Sequence, residues 1–281
     1  MTIEAVVDPR RDPVGQHVHK VGYANRVIKK RCKRRINKRS EAKVPMALQE
    51  LYVSCREVFK GPGTVPLPHD VERLCHILDN MKPEDVGLSS KLQFFKTENA
   101  VKGTPRVTTT TIYKCDKFSL CIFFLPETAV IPLHNHPGMT VFSKLLLGTM
   151  HIKSYDWVST SSAEESGQPS HLRLARLVTD SVFKAPCNTS VLYPTTGGNI
   201  HQFTAISPCA VLDVLGPPYS AEDGRDCSYY KDFPYDAFSD GKMELTTEGD
   251  CCGWLEEIET PENSEMDGIE YLGPQVVEST D

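Results

Sequence analysis

No stretch of about eighteen consecutive apolar residues, the length a bilayer-spanning helix needs, occurs anywhere in the chain, so neither a spanning helix nor a membrane partner is expected. The opening residues, Met1 to Asp8, lack a basic start followed by a long apolar block, which argues against a secretory signal. Ten cysteines stand at positions 32, 55, 75, 115, 121, 187, 209, 227, 251 and 252, and no C-x-x-C pair occurs among them. In a chain expected to carry no export signal, that scatter reads as reduced thiols rather than a disulfide framework.

The net charge is only −6, yet the charges are segregated. Residues 20–43 hold 11 Lys and Arg against one acid, residues 222–281 hold 18 acids against 3 bases, and residues 44–221 carry 15 of each. Three parts follow: a disordered basic segment over 1–43, a folded domain over 44–260, and an acidic flexible tail over 261–281. The block from Arg26 to Arg39 can neutralise phosphates or be read by an import receptor as a nuclear address. It has no interleaved aromatics on which bases would stack, so direct nucleic-acid binding is the weaker reading. Residues 1–19 contain His17 and His19, a His-x-His pair in neither a strand nor a turn, and no metal is expected there.

Within the neutral middle, Ala47, Leu48, Leu51, Tyr52, Cys55, Val58 and Phe59 recur at helical spacing and stop at Gly61-Pro62-Gly63. A second amphipathic helix is predicted from Asp70, as its cap, to Met81, closed by Pro83. After Pro105 the pattern changes. Arg106–Tyr113, Phe118–Leu125, Val141–Leu147, Thr149–Trp157, Leu172–Val178, Thr189–Tyr193 and Cys209–Leu215 are short runs rich in β-branched and aromatic residues, separated by turns. Strands without intervening helices mean an antiparallel barrel or sandwich, with the two helices packed outside it.

His134-Asn135-His136-Pro137-Gly138 places two imidazoles one residue apart on extended backbone, where side chains two apart share a face. They can grip one ion, since neutral imidazole is the commonest metal ligand. Downstream, Pro194-Thr195-Thr196-Gly197-Gly198-Asn199-Ile200-His201 is a Gly-rich turn before a strand that opens with histidine, which makes His201 the natural third ligand. Asp213 lies twelve residues further on an apolar strand, where an acid is costly unless paired or facing a pocket. It could hold a substrate amine or a metal-bound water, or orient a histidine, or make only a structural hydrogen bond.

These motifs resemble those of the cupins, whose first motif runs from His-x-His through a glutamate to a closing glycine and whose second contains Pro, Gly and a final His. Gly148 stands where the closing glycine belongs, which puts the glutamate slot at Val141, a residue that cannot bind metal. The chain is therefore similar to the three-histidine thiol dioxygenases within the cupins. With Leu212 to Tyr219 and Asp226 to Tyr230 it looks like the plant cysteine oxidases, relatives of animal cysteamine dioxygenase. The resemblance implies a cupin-type jelly-roll barrel, that is, a double-stranded β-helix. It also implies Fe(2+) held by His134, His136 and His201, and dioxygen as cosubstrate. Tyr219 matches a tyrosine that the family keeps near its iron. The implied substrate is the amino-terminal cysteine of a transcription factor, oxidised to the sulfinic acid in a hypoxia response that marks the regulator for degradation. A monomer present in both nucleus and cytoplasm is expected. A three-histidine cupin acting on free small thiols or with another metal, and a non-enzymatic nuclear metal-binding module, are the alternatives.

Phe118 to Leu133 contain no Lys or Arg, whereas a site for free cysteine would hold its carboxylate with a bidentate arginine. Arg173 or Arg176, from a distant strand, could still supply one. The basic block makes a separate prediction. Exchanging Lys33, Arg34 and Arg35 for alanine should lower the nuclear fraction of a tagged protein too large to diffuse through pores, and an unchanged distribution by microscopy would reduce the block to a solvated linker.

Overall fold

A computed structural model describes residues 44–89, 105–158, 171–238 and 252–278. The basic block, the His17/His19 pair and the polar insertion 159–170 lie outside the described residues. Two helices come first, α1 (Met46–Val58) and α2 (Pro68–Asn80). Twelve strands follow: β1 (Thr108–Lys114), β2 (Ser119–Leu125), β3 (Val130–Asn135), β4 (Thr140–Leu147), β5 (Thr149–Trp157), β6 (Leu172–Lys184), β7 (Ser190–Leu192), β8 (Ile200–Ala205), β9 (Cys209–Gly216), β10 (Tyr229–Pro234), β11 (Cys252–Ile258) and β12 (Asp267–Gly268). One sheet has the order β12-β1-β2-β9-β4-β7, and the other closes on itself as β10-β11-β6-β5-β8-β3. All pairings are antiparallel except β12 on β1. This is the all-β, cupin-type barrel with helices outside that the sequence predicts.

The pleat sorts the side chains. On β2, β4 and β9 the residues Leu120, Ile122, Phe142, Leu146, Leu212 and Val214 point outward and form one core with Leu48, Leu51 and Cys55 of α1 and Leu74 and Leu78 of α2. Their neighbours Ser119, Cys121, Ser143, Asp213 and Leu215 therefore face the barrel interior. β9 is buried along its whole length because both of its faces are covered. An acid on that strand can only be a cavity residue or a structural anomaly.

Some boundaries differ from the prediction for physical reasons. Asp70 does not cap α2. Leu67 precedes the helix, Pro68 fills its first position, and Asp70 sits in the first turn, 3.2 Å from Arg73. β6 runs six residues past Val178, and its polar second half, Thr179 to Lys184, is held by β5 alone. Residues 261–278, which fall in the stretch expected to be a flexible acidic tail, instead pack on the folded unit. Asp267 and Ile269 donate backbone hydrogen bonds to Val107 and Thr109, Tyr271 Oη donates to Val86 O, and Val277 N donates to the Gln49 side chain. The apolar residues Met266, Ile269, Tyr271 and Val276 pack on the cores, and that burial outweighs the repulsion expected of an acidic segment. Among the described residues no helix is long and apolar enough to cross a membrane, and all eight described cysteines are free thiols.

An ion pair between a buried lysine and a partly exposed aspartate ties the helices to the barrel. Lys144, on the outward face of β4, donates to Asp79 Oδ1 of α2 at 3.3 Å and to Cys187 O at 2.6 Å. The same Asp79 oxygen accepts the Thr189 amide and hydroxyl at 2.7 and 2.6 Å, and these donors together with Lys144 hold its carboxyl below the usual range despite partial burial. Asp79→Ala would leave the buried Lys144 ammonium with Cys187 O as its remaining acceptor and should cost roughly 2 kcal/mol, below the range for a fully buried pair because Asp79 is partly exposed. Lys144→Met leaves Asp79 with its Thr189 donors and should cost less. Urea unfolding of both variants checks the order.

Candidate metal centre

His134 is the penultimate residue of β3 and His136 begins the turn that follows it. His201, second residue of β8, is the register partner of His134. The three rings meet at the cavity floor, with their candidate ligand atoms all within 4.8 Å of one another. All three are buried. Burial lowers the pKa of each, and for His136 and His201 the neighbouring histidines push further, so the cluster stays neutral well below the ordinary histidine range.

Each ring has a stated orientation. His134 Nδ1 lies 2.8 Å from Pro132 O, so it carries the proton and leaves Nε2 to the cavity. His136 Nδ1 lies 2.9 Å from Tyr219 Oη, which itself donates to Asn135 O at 2.8 Å. Since the hydroxyl proton is committed to that carbonyl, His136 Nδ1–H must be the donor to the tyrosine oxygen, and Nε2 is again the free lone pair. His201 stacks on Phe203, ring centres 4.4 Å apart. His136 Nε2 and His201 Nε2 are only 3.1 Å apart. Ring nitrogens that close, on imidazoles that resist protonation, are what two adjacent ligands of one cation present. The separation agrees with an octahedral edge of about 3 Å for metal–nitrogen bonds of about 2.1 Å. The residues fit a divalent ion.

The turn that delivers His201 is built by buried polar bonds. Asp156 Oδ1 accepts the amides of Gly198 and Asn199, both at 2.9 Å. Asn199 Nδ2 then donates to His136 O at 2.9 Å and to Tyr193 O at 2.7 Å, while its Oδ1 accepts His136 N at 3.2 Å. Gly198 has φ +81°, and a Cβ there would sit 2.5 Å from Ser154 Oγ, so only glycine fits. Asn199 thus fixes both histidine-bearing turns to each other, a role that an Asn in a Gly-rich turn does not announce in sequence.

A cavity of about 480 Å³ opens above the histidines. Asp213 faces it from β9, fully enclosed, with Oδ1 lacking any hydrogen-bond partner. Burial raises its carboxyl to about 7, against the lowering effect of the Ser143 hydroxyl. Tyr219 lies on the same wall, its phenol held protonated by burial. Val141, in the slot where the cupin motif has glutamate, is buried with Met139, Leu192 and Leu215 and offers no ligand. The walls also carry Cys227, Tyr229, Ser264 and Met266, to which no local sequence pattern assigns a place in the site. Among the described residues the cavity lining holds one Lys, Lys114, and no arginine; Arg173 lies instead over the Trp157 ring, 4.0 Å from its centre.

Fold and site together define a three-histidine metal-binding cupin. The chain matches the PCO_ADO family over residues 77–276. It is 49% identical over 252 residues to Plant cysteine oxidase 2 of Arabidopsis thaliana, covering 88% of this chain and 89% of that protein. To Plant cysteine oxidase 1 of the same plant it is 49% identical over 239 residues, covering 82% and 80%. To 2-aminoethanethiol dioxygenase of Mus musculus it is 31% identical over 236 residues, covering 77% and 88%. The chain belongs to the PCO_ADO family.

Two variants separate a ligand from its support. His201→Ala should abolish stoichiometric metal binding. Tyr219→Phe removes the acceptor that orients His136, together with the donor to Asn135 O, and should weaken metal affinity by about tenfold, the low end for loss of such a partner. Metal analysis after equilibrium dialysis measures both, and wild-type affinity in Tyr219→Phe would show that the tyrosine does not set the ligand's orientation.

Proposed function

We propose that this protein is a thiol dioxygenase that adds both atoms of dioxygen to the sulfur of an amino-terminal cysteine, giving cysteine sulfinic acid. The observation that carries the reading is a floor of three neutral imidazoles with no carboxylate ligand among the described residues, beneath a cavity whose described lining contains a buried carboxyl and no arginine. The reaction balances as R–SH + O₂ → R–SO₂H. Sulfur gives up four electrons, dioxygen takes them, and no reducing cosubstrate is needed. Iron(II), the metal proposed, supplies when bound a redox-active centre with its full positive charge and open positions for a thiolate and for dioxygen.

The chain's own groups do the rest. The neutral histidines cancel none of the cation's charge, which favours thiolate over thiol at the floor. Asp213, with one oxygen bonded to Ser143 and the other free, stands where it can accept the thiol proton or hold the substrate ammonium. Tyr219 keeps the His136 ring fixed. Buried aromatic walls, among them Phe203 and Tyr219, limit bulk water at the floor. A peptide's first residue carries an ammonium and a thiol but no carboxylate, so a cavity without arginine leaves none of its charges unpaired. Lys114 belongs to the exposed rim.

The physiological substrates we infer are transcription factors whose oxidised amino-terminal cysteine marks them for degradation, so that dioxygen is both cosubstrate and signal. Similarity to the plant cysteine oxidases supports that role. The basic block between Arg26 and Arg39 supports action in the nucleus as well as the cytoplasm, and the protein is proposed to act as a monomer. Similarity to 2-aminoethanethiol dioxygenase favours one second reading, a small aminothiol substrate, which also lacks a carboxylate. Specificity constants for a Cys-initiated peptide, 2-aminoethanethiol and free L-cysteine, followed by the mass gain of about 32 Da for two oxygens, decide between them. The peptide should rank first and free cysteine last; a preference for free cysteine would overturn the reading. Asp213→Asn should lower kcat on the peptide by roughly 100-fold, as for loss of a positioned acid–base group, with bound metal retained.

A further inference from the structure

The cavity is not made by the barrel alone. After β11 the chain turns through a short 3-10 helix, Glu262–Ser264, and then runs extended into β12. Along this run the side chains alternate as a strand's do. Ser264 and Met266 line the cavity, whereas Glu265 and Asp267 point outward to Arg106, at 2.7 and 3.5 Å. Backbone hydrogen bonds from Asp267 and Ile269 to Val107 and Thr109, both 2.9 Å, fix the register that produces this alternation. Residues 264–267 are thus a strap laid across the cavity, gripped from outside by one arginine.

The strap joins two unlike walls. Ser264 is buried and lies against Tyr229, on the side that carries Tyr219 and Cys227. Met266 packs against the apolar cluster that contains Ile131 and Phe203, lines the cavity with both of them and with Phe123, and Phe203 in turn stacks on the ligand His201. The apolar part of the lining thus includes one residue against the metal site, Phe203, and one supplied by the strap, Met266. Thr111, Lys114 and Asp226 are the exposed residues of the lining and mark the mouth.

We propose that Met266 sets which second residue a Cys-initiated substrate can carry, an inference that rests on the thiol dioxygenase reading. With the cysteine sulfur at the histidine floor, the chain must leave toward the mouth, advancing about 3.3–3.6 Å per residue when extended. The second side chain then passes the apolar part of the lining while still enclosed. Met266 is the member of that part supplied by the strap rather than by a barrel strand. Its unbranched thioether adapts to small side chains at the cost of room for large ones. The strap is a specificity element, and the outward clasp of Arg106 holds it at its set distance.

The test compares two peptides that differ only at the second position, Cys-Gly and Cys-Phe, on metal-loaded full-length protein. Wild type should prefer Cys-Gly. Met266→Ala should shift the ratio of specificity constants toward Cys-Phe by about tenfold, the low end for a change of pocket size, with the gain residing in KM. Anaerobic calorimetric Kd values for the same peptides should shift in the same direction. Arg106→Ala, which loosens the strap without touching the cavity, should move the ratio the same way by a smaller factor. An unchanged ratio and unchanged Kd values in Met266→Ala would overturn the proposal. Absence of turnover of either peptide by wild type would instead refute the thiol dioxygenase reading, and the proposal would fall with it.

Discussion

Three imidazoles buried together cannot all be protonated, and the rest of the structure depends on that constraint. Burial and mutual repulsion keep His136 and His201 neutral, and their Nε2 atoms lie 3.1 Å apart. A divalent cation suits such a cluster, because it is attracted to every imidazole lone pair turned toward it at once. The second ring nitrogens decide whether this works. Pro132 O and Tyr219 Oη occupy the Nδ1 positions of His134 and His136 and so turn the basic nitrogens toward the cavity.

Holding that arrangement requires stiffness from the backbone, which the fold supplies in two ways. His134 and His201 are opposed in one antiparallel register, so their separation is set by the sheet rather than by a loop. His136, beyond the end of β3, is tied to the other turn through the Asn199 amide and thence to Asp156. Asn135 repeats the device on the far side, exchanging hydrogen bonds with the Ser228 backbone and the Tyr230 hydroxyl. Satisfied polar groups at these depths fix one geometry, and the loss of a single partner leaves the other stranded.

The sequence makes the helices, the nine strands from β1 to β9 and the three histidines legible, because each rests on a local pattern. Helical spacing marks α1, β-branched runs mark β1 to β9, and a turn follows or precedes each histidine. Asp213 is legible as an anomaly, an acid on a strand buried on both faces. β10, β11 and β12 are hidden by composition, since they lie in the acidic stretch 222–281, where charge masks the inward-facing Tyr230 and Leu255. Ser264 and Met266 reach the cavity only through tertiary packing, and no local period shows it. The charge pattern itself misleads at the carboxyl end, where Arg106 absorbs Glu265 and Asp267 and apolar contacts do the docking.

The central claim is that one ion is held by three neutral histidines without a carboxylate. A crystal structure of the metal-loaded protein, with anomalous data collected at the iron edge, tests it most directly. The expected result is a single anomalous peak about 2.1 Å from Nε2 of His134, His136 and His201, with Asp213 outside bonding distance. A peak coordinated by the Asp213 carboxylate, or an ion bound away from the three histidines, would contradict it.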